Sequence, residues 1–438
     1  MTTETPAAPA ASQIQTSFAD LALCEPIQRA LREKNYTHPS PIQAQAIPIL
    51  LEGHDLVGCA QTGTGKTAAF ALPILHRLAA SPKPAGRNRM RVLILTPTRE
   101  LAGQIGQSFA AYGKHLNLTH TVLFGGVGFG NQIRAMQRGV DVVIATPGRL
   151  LDLAQQGHVR FDGIEIFVLD EADRMLDMGF VHDVKRIQAQ IPAKRQSLLF
   201  SATMPPAIQE MVNKMLNHPR KVEVAPVSST AERVEQRLCF VDRGDKLPLL
   251  QHVLKENAEG LVLVFVRMKH AANRLVEQLG HGGVMAEAIH GNKSQGARER
   301  ALANFRSGKT RVLVATDIAA RGIDVKGVAL VVNFDLPEEP ESYVHRIGRT
   351  ARAGAEGLAI SFCDRAERGL LRDIERVIRR TVRVVKDHPY AKEERDLAPA
   401  EPIQRGGGGR GMRPRGFGGG RPGGQGRSRF GGGRSGRN

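Results

Sequence analysis

Apolar residues in this chain fall in short continuous runs rather than in strict alternation. One set comprises Leu56–Cys59, Arg91–Thr96, Val122–Phe124, Val142–Ala145, Ile166–Asp170 and Ser197–Ser201. A second comprises Leu238–Val241, Leu261–Val266, Val312–Thr316, Ala329–Phe334 and Leu358–Phe362. A strand with one wet face would alternate, whereas runs such as Val92–Leu95 and Leu261–Val266 suit strands covered on both faces. Helical patterns lie between them. The pattern predicts an α/β protein of two domains with parallel sheets. The stretch His218–Val234 has no sustained helical period and separates the two sets. The expected boundaries are a disordered tail over 1–17, a first domain over 18–220, a linker over 221–233, a second domain over 234–385 and a basic extension over 386–438. Arg368–Lys386 reads as an arginine-dense helix, and no short internal repeat is evident.

Composition changes the picture at the C-terminus. The chain carries a formal charge of +18, and half of that excess sits in residues 405–438, which hold nine Arg, sixteen Gly and no Asp, Glu or Lys. With Met412, Phe417 and Phe430 as its large apolar side chains, this segment buries too little surface to offset its chain entropy and is expected to be disordered. Such a charge calls for a polyanionic partner. Cys24, Cys59, Cys239 and Cys363 are widely spaced, which excludes a disulfide framework or a structural zinc site as expectations. No apolar run is long enough to span a membrane, and the N-terminus lacks the basic and apolar regions of an export signal, so the expected location is the cytoplasm.

The chemistry starts at Ala60-Gln61-Thr62-Gly63-Thr64-Gly65-Lys66-Thr67, between a strand run and a helical pattern reaching Leu78. Strand, Gly-rich loop and helix are the context of a P-loop, in which backbone N–H groups wrap a phosphate and the helix N-terminus faces it. Gly63 and Gly65 supply the backbone freedom, Lys66 the charge for the β/γ-phosphates, and Thr67 a ligand for Mg²⁺. Ala60 replaces the first Gly of the strict pattern. The run Ile166–Leu169 ends in Asp170-Glu171, which adds a second Mg²⁺ ligand (Asp170) and a carboxylate to activate water (Glu171). Together they predict nucleoside triphosphate hydrolysis coupled to another event.

Residues 170–173 read Asp-Glu-Ala-Asp, and from there the chain resembles a DEAD-box ATP-dependent RNA helicase over about Phe18 to Phe362. The resemblance implies two tandem RecA-like (P-loop) domains, ATP and Mg²⁺ as cofactors, and RNA as partner. Asn35–Gln43 is similar to the Q motif, with Gln43 on the adenine edge and Tyr36 and Phe18 against its ring. Pro97-Thr98-Arg99, Gly125-Gly126 and Thr146-Pro147-Gly148-Arg149 resemble the RNA-gripping motifs of the first domain. Asp173, Ser201 and Thr203 are similar to the groups that couple hydrolysis to strand separation. In the second domain, Arg267, Gly291, Arg298 and Thr316 match RNA motifs, and Gly322 and Asp324 the residues at the ATP ribose. The stretch His345–Arg352 resembles the motif carrying the arginine fingers Arg349 and Arg352, with His345 added to the catalytic set and Arg346 left out. The wording of 289–298 and the short basic tail look most like the bacterial RhlE-type branch. Asn35, Met268 and Ala351 depart from the family pattern, and Asn35 is expected to take a left-handed backbone where Gly is usual.

These motifs imply largely sequence-independent RNA binding aided by the tail, a monomer open to tail-mediated association, and ribosome-assembly or RNA-decay complexes as partners. They do not separate a strand-opening enzyme from an ATP-gated RNA clamp or chaperone. A DNA helicase of the same superfamily is disfavoured by the Q motif and the Asp-Glu-Ala-Asp quartet, and a P-loop kinase by the second domain.

Overall fold

The computed structural model describes residues 16–61, 63–224, 234–320, 325, 327–351 and 357–392. The first sheet contains β1 (Leu56–Cys59), β2 (Met90–Leu95), β3 (His120–Leu123), β4 (Val140–Ala145), β5 (Ile166–Leu169), β6 (Gln196–Ser201) and β7 (Arg220–Glu223). The second contains β8 (Val234–Phe240), β9 (Leu261–Phe265), β10 (Ala286–Ile289), β11 (Val312–Ala315), β12 (Val328–Asn333), β13 (Gly357–Cys363) and β14 (Arg383–Val384). The spatial orders are β3-β4-β2-β5-β6-β1-β7 and β10-β11-β9-β12-β13-β8-β14, and every pairing is parallel. Strand for strand, the second sheet repeats the first.

The continuous apolar runs are explained by two-sided burial. Successive side chains of a strand point to opposite faces. Accordingly Val92 and Ile94 join the apolar cluster on one face of the first sheet, while Leu93 and Leu95 join the other. In the second sheet Leu263 and Phe265 pack on one side, and Val262, Val264 and Val266 on the other. Both sheets belong to one compact unit. All four cysteines are free, and among the described residues no helix is long and apolar enough to cross a membrane.

Two local expectations change. The stretch read as a linker from 221 begins inside β7, where Val222 is buried against the first core. The arginine-dense helix runs only from Arg368 to Ile378, stops at Arg379 in a left-handed conformation, and gives way to β14. Beyond β14 the chain stays attached: Val385 and Tyr390 pack on the second core, and the Lys392 ammonium pairs with Asp242 at 3.1 Å.

Candidate functional site

The loop after β1 leads into the helix Lys66–Ala80 through Gly65, whose φ of 93° favours glycine. A Cβ there would also meet the Gln43 amide at 2.3 Å. The amide lies this close because Gln43 Nε2 donates to the Gly65 carbonyl (3.0 Å) and its Oε1 accepts from the Ser40 N–H (2.9 Å). Ser40 Oγ in turn donates to the Thr64 carbonyl at 2.7 Å. Each end of an amide has further hydrogen-bonding capacity, so Gln43 braces the loop and retains a donor and an acceptor for a base edge. Lys66 is buried and donates to the Ala60 carbonyl at 2.7 Å, across the same loop.

A cavity of about 560 Å³ joins Phe18, Tyr36, Gln43, Gly63, Gly65, Lys66 and Thr67 to Asp170 and Glu171. Tyr112 completes its aromatic wall, 6.4 Å from the Tyr36 ring. Arg349 also lines it, reaching over from the second sheet. Burial pushes the Asp170 carboxyl up to about 7, with Lys66 and Arg174 opposing the rise and Glu171 adding to it. Glu171 holds a left-handed backbone (φ 53°) and pairs with Arg174 at 2.7 Å, both side chains buried. A non-glycine residue in that region stores strain of about 1–3 kcal/mol. Asn35 is left-handed as expected (φ 57°), and so is Ala351 (φ 53°).

Asp173 ties this cleft to the end of β6. Its carboxylate accepts from the N–H groups of Ala202 and Thr203 (3.1 and 2.9 Å) and from Thr203 Oγ1 (3.1 Å). Ser201 Oγ accepts from the Asp173 N–H and donates to the Thr203 carbonyl. Burial alone would raise the Asp173 carboxyl, but Lys66, Arg174 and His345 outweigh it and hold it below its ordinary value. Arg349 Nε donates to the His345 carbonyl at 3.1 Å, so the two residues act from one turn. Arg346, by contrast, is consumed within the second sheet, gripping Asp317 through two 2.6 Å bonds and the Asp335 carbonyl at 2.6 Å.

On a second face lie three guanidinium groups. Arg99 follows Thr98, which caps its helix, and stacks over Gly125-Gly126; a Cβ on Gly126 would land 2.0 Å from Arg99 Nη1. Arg149, in the helix opened by Thr146 and Pro147, covers the Phe129 ring at 4.2 Å and donates to the Val127 carbonyl. Arg298 crosses from the second sheet to pair with Glu100 at 2.7 Å, both side chains buried. Burial, Arg298 and Arg149 together depress the Arg99 pKa, a sign of crowded positive charge. Burial and the nearby Lys293, Arg298 and Lys269 do the same to His290. Arg149 Nη1, Arg298 Nε, Gln295 Oε1 and His290 Nδ1 are buried with no hydrogen-bond partner. Gly148 and Gly291 have open space where a side chain would stand. Thr316 and Arg267 line a further cavity of about 390 Å³.

A DEAD/DEAH box helicase family model matches residues 40–212, and the helicase conserved C-terminal domain model matches residues 245–354. The RNA helicase CrhR of Synechocystis is 45% identical over 85% of this chain and 74% of its own length. The ATP-dependent RNA helicase CshA of Listeria monocytogenes is 42% identical over 82% and 68%. The chain belongs to the DEAD-box family of ATP-dependent RNA helicases. The solved structure of Saccharomyces cerevisiae Dbp5 bound to RNA and ADP BeF3 superposes with a TM-score of 0.76 at 32% identity, covering 84% of this chain and 95% of that one. This helicase is an RNA-dependent ATPase that uses ATP to unwind or remodel RNA duplexes and RNA–protein complexes.

Of the residues expected at the helicase's sites, Thr62, Gly322, Asp324 and Arg352 lie outside the described residues, as do most of the N-terminal tail and the whole of 405–438. Tyr112, Glu100 and Arg174 were missed. Glu100 lies inside the run Pro97–Ala102 without a role read for it, Tyr112 and Arg174 belong to no motif, and each becomes visible only through its contact with Arg298, Tyr36 or Glu171. Gly126 allows a specific expectation. Gly126→Ala would place a side chain at φ 78° and push Arg99 aside. The RNA concentration for half-maximal ATPase should rise about tenfold, the loss of about one charge-assisted hydrogen bond, while KM for ATP stays level.

Proposed function

We propose that the helicase works as a two-part clamp in which ATP binds the first domain and RNA lies across both. The observation that carries this reading is Arg349, a second-sheet residue lining the same cavity as Lys66, Asp170 and Glu171. Lys66 holds the β/γ-phosphates, Glu171 orients and deprotonates the attacking water, and Arg349 with Arg352 stabilises charge on the transferring group. Gln43, Tyr36 and Phe18 hold the base, and Gly322 and Asp324 the ribose. The buried carboxyl of Asp170, in the same cavity as Thr67, fits a cation; among the described residues no group of three or more His, Cys, Asp and Glu side chains could hold one alone. Asp170 and Thr67 would hold a Mg²⁺ ion, which would supply positive charge against the nucleotide phosphates. His345, Asp173, Ser201 and Thr203 connect this chemistry to the RNA side.

RNA is gripped by Pro97–Arg99, Gly125-Gly126, Thr146–Arg149, Arg267, Gly291, Arg298 and Thr316. These guanidinium groups and backbone amides recognise phosphate and sugar, so the reading is of sequence-independent binding. The first domain takes in β7 and runs over 18–224, the second runs from 234 to 392, the protein acts as a cytoplasmic monomer open to tail-mediated association, and RNA-remodelling assemblies such as ribosome-assembly or RNA-decay complexes are its setting.

One assay tests the whole reading: ATPase activity titrated with single-stranded RNA and with DNA of the same sequence, for the full chain and for a chain ended after Gln404. RNA alone should stimulate, and equal stimulation by DNA would overturn the substrate assignment. Truncation should leave unstimulated hydrolysis intact and weaken RNA capture. If about four to six tail arginines engage phosphates, the slope of log affinity against log salt flattens by about 3 to 4 units, at ~0.7 per phosphate. An unchanged slope, or a loss confined to one RNA sequence, would remove the tail as an electrostatic tether.

A further inference from the structure

The matching strand orders give every loop of the first sheet a counterpart in the second. The Ala60 N–H bonds the Ser201 carbonyl at the end of β6, and the Val241 N–H bonds the Cys363 carbonyl at the end of β13. Val241 thus stands where the P-loop begins. Five residues later Lys246 opens the helix Lys246–Glu256, as Lys66 opens the helix after the P-loop. Phe334 follows β12 as Asp170 follows β5, and Asp335 comes next, in the place of Glu171. The Thr96 N–H bonds the Ala145 carbonyl and the Val266 N–H bonds the Ala315 carbonyl, so Arg267 takes the position of Pro97. The second sheet therefore carries the frame of a phosphate site, with a lysine and a carboxylate in the corresponding places.

Its chemistry is different. The Lys246 side chain is buried, and its ammonium is held by Glu367 at 2.6 Å, Asp335 at 3.3 Å and Asp364 at 3.3 Å. Where the P-loop has Gly65 with positive φ, this loop has Asp245 at φ −93°. A lysine saturated by three carboxylates has no charge left for a phosphate. The same carboxylates turn towards Arg267. Glu367 Oε1 accepts from Arg267 Nη2 at 2.7 Å and from the Leu336 N–H at 3.0 Å, while its Oε2 faces Lys246. Asp335 Oδ2 accepts from the Arg267 backbone N–H at 3.0 Å, while its Oδ1 faces Lys246. Each of these two carboxylates thus spans the lysine with one oxygen and the arginine with the other.

We propose that this counterpart of the nucleotide site is a bracket, in which Lys246, Asp335, Asp364 and Glu367 position Arg267 for an RNA phosphate and take no nucleotide. Lys246 offsets the charge of the cluster, which allows Glu367 to stay buried and hold one edge of the guanidinium. Arg267 also lines the cavity it shares with Thr316. Glu367 and Lys246 touch no RNA themselves and are positioning residues. The inference rests on the RNA contact proposed for Arg267.

The test is a double-mutant cycle on the full chain, with ATPase titrated by single-stranded RNA at several salt concentrations. Arg267→Ala and Glu367→Gln should each raise the half-maximal RNA concentration about tenfold, the scale of one lost charge-assisted hydrogen bond. Each should also lower the salt slope by about 0.7, one phosphate on a single strand. KM for ATP at saturating RNA should change less than twofold in either. The double variant should be no worse than Arg267→Ala alone. Glu367→Asp keeps the charge that Lys246 requires but is one methylene too short to reach both partners. It should show the same RNA loss, and it serves if Glu367→Gln does not fold. Losses that multiply in the double variant, or an unmoved salt slope in both Glu367 variants, would reduce the cluster to a fold-stabilising role and overturn the proposal. An Arg267→Ala protein with unchanged RNA dependence would overturn the RNA contact itself.

Discussion

Glu171→Gln is expected to lower RNA-stimulated kcat by about 10²–10⁴, the range of a lost general base, while ATP-dependent RNA binding survives and dissociates slowly. The substitution is close to a single-atom exchange in a packed place. Glu171 is buried, pairs with Arg174 at 2.7 Å and sits in a strained left-handed turn at the end of β5. Glutamine preserves the volume and still offers a carbonyl oxygen to Arg174, so the turn and the cavity wall should persist. What disappears is the negative charge able to draw a proton from water. If that charge is needed only for hydrolysis, the clamp closes on ATP and RNA and then stalls. Filter-retained RNA measured over time after a competitor chase, alongside phosphate release, reads both halves. Ordinary kcat with rapid RNA release would remove Glu171 from the role. Deletion to alanine is the poorer test, because truncating one member of a buried ion pair can cost about 3–5 kcal/mol in stability.

Much of this architecture was legible because the responsible signals are contiguous in the chain. The run Val92–Leu95 feeds both faces of its sheet, which is why it lacks alternation. The edge strands β10 and β14 were invisible: Ala286–Ile289 carries a glutamate and small side chains, and Arg383–Val384 is two residues long. Neither has enough apolar surface to leave a pattern. Gly63, Gly65 and Lys66 could be read in place, since a phosphate-wrapping loop needs its residues adjacent. The pair Arg298–Glu100 joins residues from different sheets, and nothing in either segment announces the other. The duplication was hidden for a related reason. The two sheets share strand order and hydrogen-bonding frame, but the loop after β1 is rich in glycine and the one after β8 in acids. Divergent chemistry erased the repeat from the sequence while the backbone kept it.

Removing the Arg349 guanidinium should separate closure from nucleotide binding. Arg349→Ala is expected to reduce RNA-stimulated ATP hydrolysis by about 10³-fold or more, the lower bound for an arginine finger, with little change in ATP affinity measured without RNA. The geometry explains the asymmetry. Lys66, Gln43 and the P-loop all belong to the first sheet, whereas Arg349 is delivered by the helix Pro340–Ile347 of the second. Its presence in the cavity depends on the two sheets meeting. Arg298 of the second sheet pairs with Glu100 of the first, and Arg298 Nε, Gln295 Oε1 and Arg149 Nη1 are buried without partners. A buried unsatisfied polar group costs about 1–3 kcal/mol, and RNA phosphates and sugars can relieve it. With RNA on these groups as proposed, the closed arrangement would be favoured most when RNA is bound, and Arg349 would act mainly then. Lysine should rescue poorly, since it cannot both donate to the His345 carbonyl, as Arg349 Nε does at 3.1 Å, and present a planar fork to the phosphate. Equilibrium binding of a fluorescent ATP analogue, with and without RNA, should show the variant and the parent diverging only in the presence of RNA. A large loss of affinity without RNA would mean that the two sheets stay together unaided, and that Arg349 belongs to a standing nucleotide pocket instead of one assembled by RNA.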